Sequence, residues 1–234
     1  MRADPAREDY LKFFETQYDR VNYSDRSLAG RVLGHGHTLM ERDLGPDRHF
    51  STVLEVGAGQ GQHVESVRHG FDRYIMTDWA IDAMCQRWDT AEQRARGIEC
   101  RVADATRLDT FPANFADRLI ASHVLEHLPE PHAVLREWSR VVKPGGLISI
   151  ALPCDPGLAW RLGRNFGPRR ANKRAGNLHY DYWMAREHIN AIQNLYTFVE
   201  FYFPQRTDRW FPLGVRSFDF NLLFVTTVVN DKSA

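Results

Sequence analysis

The sequence predicts an α/β protein: a mostly parallel sheet with helices on both faces. Three observations point there. Strand-like and helix-like segments alternate from about residue 50 to residue 152. A glycine-rich turn closes the first of those strands, in VLEVGAGQGQH. Acids then close the next two strands, Asp78 in YIMTD and Asp104 in CRVAD. Alternation of this kind builds a parallel sheet, because each crossover helix covers one face of it. A chain of 234 residues with 43% hydrophobic and 26% charged residues suits one soluble domain with a substantial core.

The elements follow in order. Residues 1–48 read as polar helices. Tyr10, Phe13, Phe14, Tyr18 and Val21 fall at helical spacing, and a second helix is expected from about Ser27 to Leu44, before Gly45-Pro46. The short GHGH element, with His35 and His37, reads as a turn. STVLEVG is a strand and GQHVESVRHG a helix; RYIMTD is a strand and AIDAMCQRWDTAEQRARG a helix ending at Gly97. IECRVAD is a strand, FADRLIASHVLEHL contains one, and PHAVLREWSRVV is a helix stopped by Lys143-Pro144-Gly145-Gly146. GLISIALP is a fifth strand. Residues 153–190 form a long segment with at least one helix, MAREHINAIQNL at its end. TFVEFYFP and FDFNLLFVTTVV read as a closing antiparallel pair.

Gly57, Gly59 and Gly61 let the turn after the first strand fold tightly and let a ligand lie against bare backbone. A helix beginning there would add free N–H groups for a negative group. The spacing is ExGxGxG; a dinucleotide-binding turn would need a third glycine at position 62, which is Gln62. Carboxylates such as Asp78, at the end of the second strand, accept hydrogen bonds from ribose hydroxyls. Asp104, at the end of the third, can accept from an exocyclic amine. Glu55 either organises the turn or faces a cationic group. Each acid alone reads equally well as a cap; the three together, beside a glycine turn, point to a nucleoside site.

VLEVGAGQG, TDWA, VADAT, ASHVLEHLPEP and VVKPGGLISIALP resemble the successive motifs of class I S-adenosylmethionine-dependent methyltransferases, in particular the type 11 subgroup that includes the ubiquinone-biosynthesis O-methyltransferases. The resemblance covers residues 50–152 and, more loosely, the two closing strands. It implies a Rossmann-like seven-stranded sheet of order 3-2-1-4-5-7-6 with strand 7 antiparallel. It divides the chain into an N-terminal helical lid, 1–48, and a methyltransferase domain, 49–234, with an acceptor-binding cap at 153–190. It places Gly57 and Gly59 under the methionine part of S-adenosylmethionine, Asp78 on the ribose, Trp79 beside the adenine, Asp104 and Ala105 at the adenine edge, and Ser122 on the cofactor pocket, with Glu55 and Gly61 completing the turn.

Ligands of open α/β sheets bind beyond the carboxyl ends of the strands, so SHVLEHL falls next to the methyl donor. His123, His127 and His179 are the candidate catalytic residues, since an alcohol or phenol acceptor must lose a proton and histidine has a suitable pKa. His188 is a further candidate base, and His179 with Asp181 reads as an acceptor-holding element. The subgroup's ExxEH can hold a divalent metal; here it reads His123-x-x-Glu126-His127, so a metal is possible but not expected. Glu126 and His127 fit a helix start equally well. The basic run from Arg161 to Arg174 could attract an anionic acceptor or form a solvated face.

Lys and Arg balance Asp and Glu at 30 each, which disfavours a mainly nucleic-acid-binding surface. Cys85, Cys100 and Cys154 are widely spaced and suit reduced thiols, and the charged start MRADPAREDY does not read as a secretory signal, so a cytoplasmic enzyme is expected. The expected activity is methyl transfer to an oxygen of a small molecule or sugar, with N-methylation or nucleoside binding without transfer as alternatives. Oligomeric state is left open.

Overall fold

In the computed structural model, residues 28–232 are described. The expected helix around Tyr10–Val21, and most of the expected lid, lie outside them. Helix α1 (Leu28–Met40) precedes β1 (His49–Val56), β2 (Gly70–Asp78), the short helices α2 (Asp82–Trp88) and α3 (Ala91–Ala95), β3 (Ile98–Val102) and β4 (Ala116–Ser122). Then come α4 (Pro131–Val141) and β5 (Val142–Pro153). Helices α5 (Leu158–Phe166), α6 (Pro168–Arg174), α7 (Tyr180–Glu187) and α8 (Ile192–Tyr202) lead to β6 (Arg206–Phe211) and β7 (Leu223–Val229). The sheet order is β3-β2-β1-β4-β5-β7-β6. Strands β1 to β5 pair in parallel, and β7 runs antiparallel to both β5 and β6.

Two apolar layers sandwich this sheet, and successive strand residues alternate between them as the pleat requires. Leu54 and Val56 pack with Leu135, Trp138, Tyr196 and Val199 of α4 and α8 on one side. Val53, Tyr74, Met76 and Ile120 pack with Met40, Met84 and Trp88 on the other. Burying one Leu, Val or Phe side chain is worth about 1.5–3 kcal/mol, so strand ends framed by two such layers are a rigid platform.

The GHGH element is helical rather than a turn, and it ties α1 to the sheet through a buried polar relay. His63 Nε2–H donates to Glu41 Oε1 at 2.9 Å, which leaves His63 Nδ1 to accept from His37 Nδ1–H at 2.9 Å. Arg118, completely buried in β4, closes on the same Glu41 oxygen at 2.6 Å and on His69 Nε2 at 2.7 Å. Burial, reinforced by the neighbouring His63 and His123, holds His37 down at about 3, so it is neutral.

Several expected elements are corrected. GQHVESVRHG is a single 3₁₀ turn, His63–Ser66, before β2 begins at Gly70. No helix therefore points its free N–H groups at the glycine turn. The helix expected over 80–97 is broken at Asp89–Thr90, where Thr90 caps the second piece by accepting from Gln93 N. Lys143-Pro144-Gly145-Gly146 lies inside β5, which follows α4 without a break. MAREHINAIQNL is divided between α7 and α8. TFVEFYFP continues α8 as helix, and the edge strand is RTDRWF instead. Ile192, Leu195, Tyr196 and Val199 are the buried residues of α8; that i, i+3, i+4, i+7 stripe outweighs its β-branched and aromatic composition. The insert between β5 and α8 leaves and rejoins the sheet at one point, where Ile192 N donates to Asp155 O at 2.8 Å.

Candidate active site

The first half of the site is the rim formed by the ends of β1, β2 and β3. Gly57, Gly59 and Gly61 all have positive φ, at 63°, 57° and 73°. Their surroundings differ. A Cβ on Gly57 would lie 2.4 Å from Val124 Cγ2, and one on Gly61 2.6 Å from Trp88 Nε1. A Cβ on Gly59 would meet nothing within 4 Å. Gly57 and Gly61 are thus required by packing, while Gly59 presents bare backbone to open space.

Gly59 N donates to Asp78 Oδ2 at 2.8 Å, and Ala80 N to Asp78 Oδ1 at 3.2 Å. Each carboxylate oxygen keeps further acceptor capacity. The Trp79 indole beside it is 76% exposed. Asp104 Oδ1 accepts from Thr106 N at 2.8 Å and Thr106 Oγ1 at 2.7 Å, and Ala105 O accepts from Trp138 Nε1 at 2.9 Å. Neither acid caps a helix: Asp104 closes a local turn onto Thr106, and Asp78 joins the glycine turn to the start of the next loop.

Glu55 does not face the rim. It is buried, and its Oε2 accepts from the equally buried Tyr74 hydroxyl at 2.8 Å. Burial pushes its carboxyl up to about 8 against the opposing Tyr74 hydrogen bond. Glu55 therefore acts as a protonated core acid bridging β1 to β2, not as a partner for a cationic ligand. Ser122, at the end of β4, does turn a polar atom inward: its Oγ is buried without a hydrogen-bond partner.

The second half lies at the ends of β4 and β5 and under the insert. A cavity of about 160 Å³ is lined by His123, Glu126, His127, Trp160, Arg164 and His188, among others. Ala29, Val32 and Leu33 of α1 close one side. At about 10–15 Å³ per ordered water it could hold several, so it has room for a ligand. His123 sits at φ 57°, in the left-handed region that costs a residue with a Cβ about 1–2 kcal/mol, and its N–H donates to Ala151 O at 3.0 Å. Its Nδ1 is 3.4 Å from Glu126 Oε1, a close contact without hydrogen-bond alignment, and its Nε2 is buried and unpartnered.

Both carboxylate oxygens of Glu126 are likewise buried with no hydrogen-bond partner. Burial pushes this acid up, but the imidazoles of His123, His127 and His188 outweigh it and hold it at about 2. His127 Nδ1–H donates to Glu187 O at 2.8 Å, leaving Nε2 as an acceptor; burial lowers its pKa. His188 Nδ1 is 2.9 Å from Asp155 Oδ2. A carboxylate on Nδ1 fixes the tautomer and leaves Nε2 to accept a proton.

His123 and His127 thus line the cavity, as expected from sequence. His179 does not: it is exposed at the start of α7, and the cavity takes Tyr180 and His188 from the same segment. Asp181 is not its partner either, because Arg169 at 2.6 Å and Lys173 at 3.0 Å occupy that carboxylate. The Asp155–His188 pair joins residues 33 apart; the signal available in sequence was an acid just past the fifth strand. Among the described residues, no group of three or more His, Cys, Asp or Glu is arranged to hold a metal ion, and no helix is long and apolar enough to cross a membrane.

An open sheet of this order, with a glycine turn and acids at the strand ends, defines the class I methyltransferase fold. Residues 54–150 match the family described as Methyltransferase domain. A methyltransferase of Claviceps purpurea is 30% identical over 105 residues, 44% of this chain and 32% of that protein. A ubiquinone biosynthesis O-methyltransferase of Ruegeria pomeroyi is 29% identical over 130 residues, 55% of this chain and 49% of that protein. The matches span about a third to a half of these relatives' own length. The crystal structure of the N-methyltransferase NodS from Bradyrhizobium japonicum with S-adenosyl-L-homocysteine has the same fold, with a TM-score of 0.60 at 14% identity, covering 97% of this chain and 99% of that one. Residues 54–150 thus carry a methyltransferase domain, set on the class I S-adenosylmethionine-dependent methyltransferase fold.

The residues on the rim fit that cofactor. The open face of Gly59, the spare acceptor capacity of Asp78, the exposed Trp79 indole and the unpartnered Ser122 hydroxyl offer backbone, ribose, ring and polar contacts in turn.

Proposed function

We propose that this protein methylates an oxygen of a small hydroxylated acceptor bound in the cavity beside β4 and β5. Gly57 and Gly59 would receive the methionine part of S-adenosylmethionine, Asp78 its ribose, and Trp79, Asp104 and Ala105 its adenine, with Ser122 lining the pocket. When bound, the cofactor supplies a methyl group already activated on a sulfonium. The remaining work falls to the chain: to bind the acceptor, aim its oxygen and remove its proton. His188 removes that proton through Nε2, and Asp155 holds the ring and stabilises the positive charge it gains. His123 and His127 present their own ring nitrogens to the same cavity and orient the hydroxyl. The insert between β5 and α8 is the acceptor-binding cap, and its Trp160 and Tyr180 suit the face of a sugar ring or a phenol. A sugar hydroxyl is the first acceptor class, a phenolic metabolite the second.

The single observation that carries this reading is the Asp155–His188 pair opening on the cavity. The test is transfer of a labelled methyl from S-adenosylmethionine across a panel of hydroxyl- and amine-bearing compounds. O-methyl product that disappears in His188→Ala is expected; cofactor binding with no methylated hydroxyl compound would overturn the proposal. A second reading, methylation of an amine, is favoured by the buried, unpartnered Glu126 carboxylate, which could hold an ammonium group. It predicts N-methyl product and tolerance of His188→Ala.

A further inference from the structure

The basic run over Arg161–Arg174 separates into distinct roles. Arg169 and Lys173 are both consumed by Asp181. Arg170 lies over the Phe166 ring, 5.0 Å from its centroid, and Arg161 and Arg174 are exposed. Arg164 is the member of the run that lines the cavity, and its Nε is buried with no hydrogen-bond partner. One turn earlier on α5, Trp160 lines the same wall, and its Nε1–H is also buried without an acceptor. Two donors cannot satisfy one another, and a buried donor without an acceptor costs free energy that an incoming acceptor group returns.

Much of the cavity lining is apolar, from Ala29, Val32, Leu33, Met184 and Leu222, and its polar groups are set along a row of rings. His127 packs edge-on against His188 at 4.8 Å between centroids, and His188 stacks on Trp160 at 6.4 Å, so Trp160 lies one ring further along. The Glu126 carboxylate faces the His127 end. An anion at that end would meet the carboxylate; at the other it would meet a guanidinium and an indole N–H.

We infer that the acceptor carries a carboxylate or phosphate group, held by the Arg164 guanidinium and the Trp160 indole N–H, and that this anchor decides which hydroxyl reaches His188. The inference rests on the acceptor cavity proposed above. An anion bound there accepts charge-assisted hydrogen bonds, and the ring wall between the two ends sets the spacing from anchor to hydroxyl.

The test is a titration followed through tryptophan indole N–H resonances in ¹⁵N-labelled protein, with Trp160→Phe identifying the relevant peak. Inorganic phosphate, glucuronate and glucose serve as probes. A saturable shift of the Trp160 resonance is expected with phosphate or glucuronate but not with glucose, weakened about tenfold or more in Arg164→Gln. Absence of a saturable shift with both anions, an equal response to glucose, or a response unchanged by Arg164→Gln would each overturn the proposal. Titration of the same protein with S-adenosylhomocysteine keeps the two readings apart. Its failure to bind would sink the cofactor assignment, whereas Arg164→Gln leaves that affinity unchanged.

Discussion

At the ends of β1, β2 and β3 the acids of the rim are already bonded. Asp78 holds two backbone N–H groups and Asp104 holds Thr106, while Glu55, buried behind the rim, holds Tyr74. At the ends of β4 and β5 the situation reverses: His123 Nε2, both oxygens of Glu126, Trp160 Nε1 and Arg164 Nε are buried with nothing to bond. The acids of the donor half thus find partners on the same or the neighbouring strand end and offer spare capacity. The acceptor half is assembled from four separate segments and keeps unmet demands. A shared cofactor needs only the former; selectivity for one acceptor needs the latter, because an unpaired polar group penalises every ligand that fails to match it.

Perturbing each half in turn tests this division. The largest effect is expected from His188→Ala: a loss of about 10²–10⁴-fold in kcat with unchanged S-adenosylhomocysteine affinity by calorimetry. Loss of both together would erase the separation. Glu55→Gln probes the donor half's hidden acid. The carboxyl is raised to about 8 in the folded protein, so its stabilising contribution is complete below its ordinary value and is lost as pH rises through 8. The substitution removes that loss, at about 1.4 kcal/mol per pH unit within the window. Chemical denaturation should therefore show the variant gaining on the wild type steadily from about pH 4.5 to pH 8, with no further gain above it.

Gly57→Ala should destabilise by about 3 kcal/mol, combining left-handed strain with the contact on Val124, whereas Gly59→Ala, with the same φ sign and open space, should cost about 1 kcal/mol. Thermal melts of the pair decide whether Gly59 is kept for ligand rather than for packing. Asp78→Ala should weaken cofactor binding by about 10–100-fold, from lost charge-assisted hydrogen bonds, while turnover at saturating cofactor holds. The smallest effect belongs to His123→Gly: it should relieve about 1 kcal/mol of backbone strain and raise the melting temperature while slowing transfer.

The same contrast explains what could be read from the sequence. The five parallel strands, the glycine turn and the acids behind them are contiguous motifs whose chemistry is local, and they stand where expected. The Asp155–His188 pair depends on how a long insert folds back onto β5, and no local pattern encodes that return. His179 was a reasonable candidate by proximity to aromatics, but one turn of α7 decides that Tyr180 faces in and His179 out. The GHGH element is helical, and His63 and Arg118, distant in sequence, join its His37 to Glu41 in a buried network. The composition of TFVEFYFP favours strand, while its apolar spacing, counted from Ile192, favours helix, and the spacing wins.

The hydrogen bond from Ile192 to Asp155 gives the molecule a seam. Everything between those residues departs from and returns to one place, so the sheet registers little of what is spliced there. Exchanging that stretch between relatives should transplant acceptor preference, and the base His188 with it, while the cofactor-binding platform persists, much as a lathe accepts different chucks. A chimera that folds and retains S-adenosylhomocysteine but recognises the other parent's acceptor would make diversification in this architecture a matter of insertion rather than redesign.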